Sequence, residues 1–441
     1  MRRHRPSILA LATVLVVGGC SAQQPPQQQI PQPAVESLPV APEGERVDLT
    51  LPTFSNPTDI TNQLFPVSRQ ASVLLLGTVD DLPFRTEVTL LPNPRIIDWE
   101  GRQVATLVSQ YVAFLDGRLH EVAYDFYAQA DDGSVWYFGE DVFNFADGAI
   151  VDTHGTWIAG IDGPAAMIMP ADPGVGDVYR PENIPGFVFE EVTVKAVDET
   201  VDGPLGPIEG ALLVEELHMD GATEEKYFAP GYGEFYTSGG GDTEALALAV
   251  PTDAVDEPVP DALSAIEVGA LEILAAAEAE DWQAASGSIE ELTAAWDDVA
   301  TGEVPVLVEP LMADALDTLA DAVSAEEAAE ASRAAIGVAR LGLDLQLRHR
   351  PVAEVDVARF GLWAAQMRLD ADEGDSAAVS GDLFSLDYVR DRIQHTLDAA
   401  DAKAINVLLE EITGLVSDGD LPALADAAAE LRDLVTELAA G

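Results

Sequence analysis

The chain contains few of the residues that form covalent cross-links or positively charged sites. Cys20 is the single cysteine in 441 residues, so the chain cannot form an internal disulfide. Lys and Arg number 22 against 78 Asp and Glu, and the formal net charge is −56. This charge argues against nucleic acid as a partner, because phosphate contacts require basic residues. The fold must therefore be stabilised by packing alone, for which the 48% hydrophobic content provides the material.

The sequence also has little in the way of long hydrophobic runs. Its N-terminal apolar stretch, 8–17, has ten residues, whereas a membrane-spanning helix needs about 20. A cationic segment, 1–5, precedes it and small residues follow, which is the order found in export signals. One interpretation is an ordinary secretory signal peptide with an incidental cysteine.

The ending Val17-Gly18-Gly19-Cys20 favours a second interpretation, because it resembles the lipobox of bacterial lipoproteins. That resemblance implies cleavage before Cys20 and acylation of this residue, with palmitate among the attached chains. It predicts a lipoprotein of the cell envelope, held on the extracytoplasmic face of the cell membrane through Cys20. The strongly acidic surface offers no basic patch for anionic lipid, so attachment would depend on the acyl chains.

Composition divides the chain into segments of different character, and the fold class predicted from them is α+β. A curved, half-barrel-like antiparallel sheet is expected first, followed by an acidic all-α helical bundle. The predicted segments are a lipoprotein signal peptide at 1–19, a Gln/Pro-rich disordered tether at 20–57, an antiparallel β domain at 58–245, a linker at 246–260 and the helical bundle at 261–441.

Short β-branched and aromatic runs separated by turn residues predict the strands. Asp116-Gly117 lies between two of these runs, and 131–133 (DDG) lies between two others, as expected for hairpins. The predicted strands are 73–79, 84–91, 102–115, 119–128, 135–138, 187–197, 210–219 and 225–229.

The second half is rich in Ala, Leu, Asp and Glu, a composition typical of helices. Unequal spacing of the breaks between helices favours helical hairpins over a regular solenoid. The predicted helices are 261–280, 283–300, 304–322, 325–348, 354–373, 385–399, 401–417 and 421–440.

Two motifs in the predicted β domain are distinctive. They are 124–129 (YDFYAQ), continuing through 132–140 (DGSVWYFGE), and 226–233 (KYFAPGYG). They resemble a signature of uncharacterised secreted bacterial proteins. The resemblance implies an exported protein of this architecture and carries no activity.

Aromatic side chains of the β domain provide a candidate ligand pocket. Aromatic residues in strands are most often core residues, but a curled sheet can also place them around an apolar cavity. The candidate pocket residues are Trp99, Tyr127, Trp136, Phe138 and Trp157.

The sequence contains no nucleophile elbow, no phosphate-binding glycine loop and no complete zincin motif. Asp125 and Glu140 are candidates for a carboxyl pair across a hairpin. In the helical half, Asp387, Asp391 and His395 are spaced to share one helix face and are candidate ligands for a divalent cation. Arginines beside them favour an ordinary ionic helix surface instead.

These observations favour binding over catalysis. The leading hypothesis is a lipid-anchored envelope protein whose β domain holds a small apolar or amphiphilic ligand, with no resident cofactor. The alternatives are cation binding by the helical bundle and a purely structural module that contacts another envelope protein.

Overall fold

The structure is a computed structural model that describes residues 38–440. The predicted signal peptide, the predicted lipidation site Cys20 and residues 20–37 of the predicted tether lie outside the described residues. Within the described residues an antiparallel sheet is followed by helices, which confirms the α+β class. None of the helices in this part of the chain is both long enough and apolar enough to cross a membrane.

The strands of the described residues are β1 (Ser72–Val79), β2 (Leu82–Leu90), β3 (Arg95–Trp99), β4 (Arg102–Leu115), β5 (Arg118–Gln129), β6 (Val135–Ala146), β7 (Ala149–Asp152), β8 (Trp157–Ile158), β9 (Ala166–Met169), β10 (Val178–Ile184), β11 (Val188–Gly203), β12 (Gly206–His218), β13 (Thr223–Ala229), β14 (Gly233–Gly239) and β15 (Asp242–Val250). The helices are α1 (Asp261–Glu278), α2 (Trp282–Val299), α3 (Val308–Ala325), α4 (Ala328–Gln346), α5 (Val352–Glu373), α6 (Ser376–Ile393), α7 (Ala399–Asp418) and α8 (Leu421–Ala440).

The β4–β5 hairpin forms where the sequence predicts it. Asp116 and Gly117 have φ values of 49° and 73°, and Leu115 pairs with Arg118 across the turn. Positive φ at both central residues is the requirement of a type I′ turn, and Asp-Gly meets it at low cost. This turn sets the register of the strand ends up to Phe114, beyond which a bulge shifts the register by one residue.

The strands follow the order β10-β11-β12-β13-β14-β15-β1-β2-β4-β5-β6-β7, and every pair along this path is antiparallel. β3 adds to β4, and both β8 and β9 add to β6. Two meanders are thus joined where β1 pairs with β15, the first and last strands of the sheet. The sheet order has two free ends, so the sheet is not closed.

The helices cover one face of this sheet. Leu74 and Leu248 share a hydrophobic cluster with residues of α1 to α5. Phe114 stacks on Trp363 of α5 at a centroid distance of 5.3 Å, within a second cluster that extends to α8. Sheet and helices therefore share hydrophobic cores.

The predicted linker is shorter in the structure. Strand β15 extends to Val250, because its alternating apolar residues pair with β1 and pack beneath the helices. The connecting segment is therefore 251–260. Helix α1 begins at Asp261, as predicted.

The predicted tether also differs over the part that the structure describes. Leu38 is buried beside Phe189, the amide of Val47 donates to the Val178 carbonyl at 2.8 Å, and Phe54 packs edge-on against Trp99. Residues 38–57 therefore lie along the β domain. Their scattered apolar side chains provide the packing energy that a purely polar tether would lack.

Helix α6 begins nine residues before the predicted start at 385. Asp375 lies just before it and accepts hydrogen bonds from the amides of Ala377 and Ala378, as an N-cap residue does. Gly374, with φ 79°, ends the preceding helix. The Gly-Asp pair therefore acts as a junction between two helices.

Candidate functional site

A cavity of about 410 Å³ lies on the sheet face opposite the helices. Side chains alternate along a strand, so Leu74 faces the helices while Val73 and Leu75 line the cavity. On β2, Glu87 likewise faces the helices and Val88 lines the cavity. The cavity is thus built from the inner faces of both meanders.

The cavity is lined by apolar and by ionisable side chains. The apolar side chains, called the apolar wall, come from the segment before β1 and from β1 and β2, and they are Phe65, Val67, Val73, Leu75, Val88 and Leu90. The main polar side chains come from strands on both sides of β1 and β2 in the sheet order, and are together called the acidic wall: Tyr111, Asp125, Glu224, Lys226, Glu234 and Glu244. Carboxyl groups outnumber the single amino group of Lys226 on this wall.

Of the five aromatic residues predicted to line a pocket, Tyr127 lines the cavity. Trp99, Trp136, Phe138 and Trp157 lie in the hydrophobic core instead. Their rings are closely packed: Trp99 lies 5.7 Å from Phe138, and Trp157 lies 5.4 Å from Tyr137. These four residues therefore contribute to the hydrophobic core and not to the lining of the cavity.

Asp125 and Glu140 lie directly opposite each other on β5 and β6, as the sequence suggested for a cross-hairpin pair. The Tyr137 hydroxyl donates to the Asp125 carboxyl at 2.7 Å. Burial raises the pKa of Asp125 to about 7. Burial and the neighbouring Asp125 also raise the pKa of Glu140 well above its ordinary value. Near neutral pH this pair therefore carries protons that exposed carboxyls would have lost.

Glu244 is a second carboxyl held in an unusual state. Its Oε1 atom is buried and has no hydrogen-bond partner. Burial, together with the charge of Glu234, raises the pKa of Glu244 to about 7. The Lys226 amino group lies 3.7 Å from Glu234 and 3.0 Å from Glu216. The lining of the cavity is therefore rich in carboxyl groups, and an incoming cation would favour ionisation of Glu244.

The predicted cation ligands of the helical half are not brought together as the spacing suggested. Helix α6 ends at Ile393, so His395 lies past its end and is exposed. Arg390 contacts Asp387 at 2.8 Å and Asp391 at 3.5 Å. Asp391 also accepts from the Tyr124 hydroxyl at 3.0 Å. The two aspartates thus belong to an ionic surface that joins helix and sheet.

Sequence reasoning missed a cluster of potential ligands on β11 and β12. Glu190, Glu216 and His218 each offer one ligand atom within 4.8 Å of the others. Glu190 pairs with His218 across the two strands. The local signal was the Glu-x-His alternation of 216–218, which places both side chains on one strand face. The third member comes from a strand whose register the sequence did not specify.

Comparison with known proteins adds no further assignment. The chain matches no protein-family model and no curated protein sequence. The resemblance of its aromatic motifs to secreted bacterial proteins stays a prediction. Function is therefore argued from the cavity and from the charges around it.

Proposed function

We propose that the protein is a non-catalytic binding protein of the cell envelope, whose β-sheet cavity takes an amphiphilic ligand with a cationic group. The observation that carries this proposal is that one cavity is lined both by apolar side chains and by several acidic ones. Cavities of this size are typical of small-molecule sites, in which apolar contacts supply affinity and a few polar groups set orientation.

The two walls suggest how such a ligand is oriented. An alkyl or aromatic part would lie against Val73, Leu75 and Val88, where each buried methylene contributes about 0.8 kcal/mol. An ammonium group would face Glu244, whose buried Oε1 has no hydrogen-bond partner. Its charge favours the ionised form of this carboxyl and lowers its raised pKa. Affinity is therefore expected to increase between pH 5.5 and 8.

A curved sheet would give the cavity its shape. Residues from β4 to β6 and from β10 to β13 share one hydrophobic cluster, although these strands lie far apart in the sheet order. This sharing supports a half-barrel-like wall, with the acidic helical layer covering its outer face. In this proposal the helices provide rigidity and the inner face binds the ligand.

The first experiment is calorimetric titration of the purified protein with octylamine, octanoate and octanol. We expect octylamine to bind at least about tenfold more tightly than octanoate, because a close opposite charge in a partly buried site contributes more than ~1.4 kcal/mol. Glu244→Gln should weaken octylamine binding about tenfold. Glu411→Gln removes an equal charge from an exposed position on α7 and should leave binding unchanged.

Two outcomes would contradict this assignment. Equal or tighter binding of octanoate would show that the acidic wall does not select the ligand. Failure of all three probes to bind would favour the alternative of a structural module that contacts another envelope protein.

Attachment to the membrane is the second part of the proposal, and it depends on Cys20. The lipobox-like sequence 17–20 supports it. In a bacterial host grown with an alkyne analogue of palmitate, the intact protein should be labelled and recovered with membranes. Cys20→Ala should lose the label completely, because the acylated sulfur is removed, whereas Ser21→Ala should retain it. Labelling of Cys20→Ala, or an unlabelled intact protein, would refute lipidation at this residue.

A further inference from the structure

Strands β11, β12 and β13 place five ionisable side chains together on the inner face of the sheet. Glu190 pairs with His218, and Glu216 pairs with Glu224. Glu216 and His218 are two residues apart on β12 and so share a face, and Lys226 does the same with Glu224 on β13. The group adjoins the cavity, since Glu224 and Lys226 also line it.

The spacing within this group is wider than that of strong charge-assisted hydrogen bonds, which are about 2.7–2.9 Å long. His218 Nδ1 lies 3.5 Å from Glu190 Oε1. His218 Nε2 lies 3.5 Å from Glu216 Oε1 and 3.4 Å from Glu224 Oε2. Two ligands bound to one tetrahedral zinc ion at ~2.0–2.1 Å are roughly 3.4 Å apart. Glu216 and Glu224 are therefore placed as ligands of an ion bound to Nε2 would be, whereas Glu190 approaches the other ring nitrogen. One ligand atom each of Glu190, Glu216 and His218 nevertheless lies within 4.8 Å of the others.

A second observation concerns a ring nitrogen that is buried without a hydrogen bond. His218 Nε2 is buried and has no hydrogen-bond partner. The neighbouring Glu216 is 3% exposed, and its Oε1 lies 3.0 Å from the Lys226 amino group. Leaving a buried nitrogen unsatisfied is unfavourable, so a bound ion would remove this penalty.

From this geometry we infer that Glu190, Glu216 and His218 form a binding site for a divalent transition metal ion, with zinc as the best match. One imidazole and two carboxylates are a ligand set that zinc accepts in proteins, and a fourth position is left for water or for Glu224. The inference goes beyond the proposed ligand cavity, and its residues lie on β11 and β12 rather than on the helix where the sequence suggested a cation site.

Two positive charges compete with the metal ion: the amino group of Lys226 and a proton on His218. Lys226 lies 3.0 Å from Glu216 Oε1 but also 3.7 Å from Glu234, to which it can turn. His218 lies within 3.5 Å of the carboxylates of Glu190, Glu216 and Glu224, which favour a positive charge at this place. A zinc ion supplies that charge and displaces any proton on the ring nitrogen that it binds.

The test is zinc binding to the purified protein after treatment with a chelator and dialysis. We expect one zinc ion per chain, measured by native mass spectrometry and calorimetry. Cobalt in place of zinc should give the visible absorption of a tetrahedral site. His218→Ala should weaken zinc binding at least about tenfold, and Glu190→Gln should do the same with less disturbance of packing.

His395→Ala is the matched control, since it removes an exposed histidine and one of the cation ligands that the sequence suggested. It should leave zinc binding unchanged. Circular dichroism establishes that each variant is folded. The inference is overturned if the intact protein binds no zinc, or if folded His218→Ala and Glu190→Gln both bind it as tightly as the intact protein. Octylamine titration of the same variants reports on the cavity separately, so failure of one proposal does not imply failure of the other.

Discussion

Arg359→Met is expected to lower the free energy of unfolding by about 3–5 kcal/mol, because it removes one of the cations that neutralise a group of buried carboxylates. Arg359 on α5 is 3% exposed. Its guanidinium contacts Asp344 of α4 at 2.7 Å and Asp356 at 3.1 Å. Neither carboxylate can reach water when this arginine is removed, since each is at most 1% exposed.

The same network ties the helices to the sheet. Arg85 of β2 contacts Asp344 at 2.7 Å, and Arg392 of α6 contacts Glu87 of β2 at 2.7 Å. Arg392 also donates to Gln110 of β4 at 2.6 Å. Three helices and two strands thus meet in one set of buried charges. Loss of Arg359 should therefore weaken the contact between the helices and the sheet as well as the contact between α4 and α5.

Denaturant unfolding of Arg359→Met and of Arg368→Met measures this effect. Arg368 also lies on α5 and pairs with Glu278 at 3.1 Å, but both side chains are partly exposed. Its replacement should cost less than about 1 kcal/mol. Equal losses in the two variants would show that burial of the network does not matter to stability.

The second large effect is a decrease in stability from pH 5.5 to pH 8. Burial raises the pKa of Asp125 and Glu244 to about 7 and that of Glu182 to about 8. In this range the folded protein therefore binds more protons than the unfolded chain does. Stability decreases with increasing pH wherever the folded state binds the extra protons. One such carboxyl, raised by one unit, contributes ~1.4 kcal/mol, so several together should cost ~3 kcal/mol or more.

Other shifted groups do not reverse this sign. His218, with its pKa raised to about 10, also loses its stabilising contribution as the pH increases. Carboxyls with a lowered pKa, such as Glu87, lose theirs only in acid, below the ordinary value of 4.5. The folded protein is therefore expected to be more stable at the acidic end of this pH range, down to about pH 5.

Thermal unfolding in the presence of a chelator measures the trend without interference from bound metal. The melting temperature should be highest near pH 5.5. Glu244→Gln should raise it at pH 8 and change it little at pH 5.5, because the neutral amide resembles the protonated acid. Glu411→Gln is the exposed control and should leave the profile unchanged. A melting temperature that increases steadily up to pH 8 would contradict the assignment of these protons to the folded state.

Part of the site was predictable, and the reason is local. Asp125, Tyr127 and Glu140 lie on one hairpin, whose turn the sequence marks. A bulge between Asp125 and Tyr127 shifts the register by one residue and places Asp125 opposite Glu140, and the sequence did not specify this bulge. The cation site predicted on α6 is not formed, because the helix ends before His395. Glu244 and Lys226 were not predicted, because they reach the cavity through pairings between strands distant in sequence.

Local patterns account for the succession of strands, helices and turns, because alternation, helix composition and Asp-Gly turns act over a few residues. The N-terminal lipobox-like motif is likewise recognised from the sequence alone. The pairing of β1 with β15, the helical cover on one face and the acidic wall on the other depend on contacts between residues far apart in the chain. Burial on that inner face requires several strands together, and it is this burial that raises the pKa of the carboxyls around the cavity.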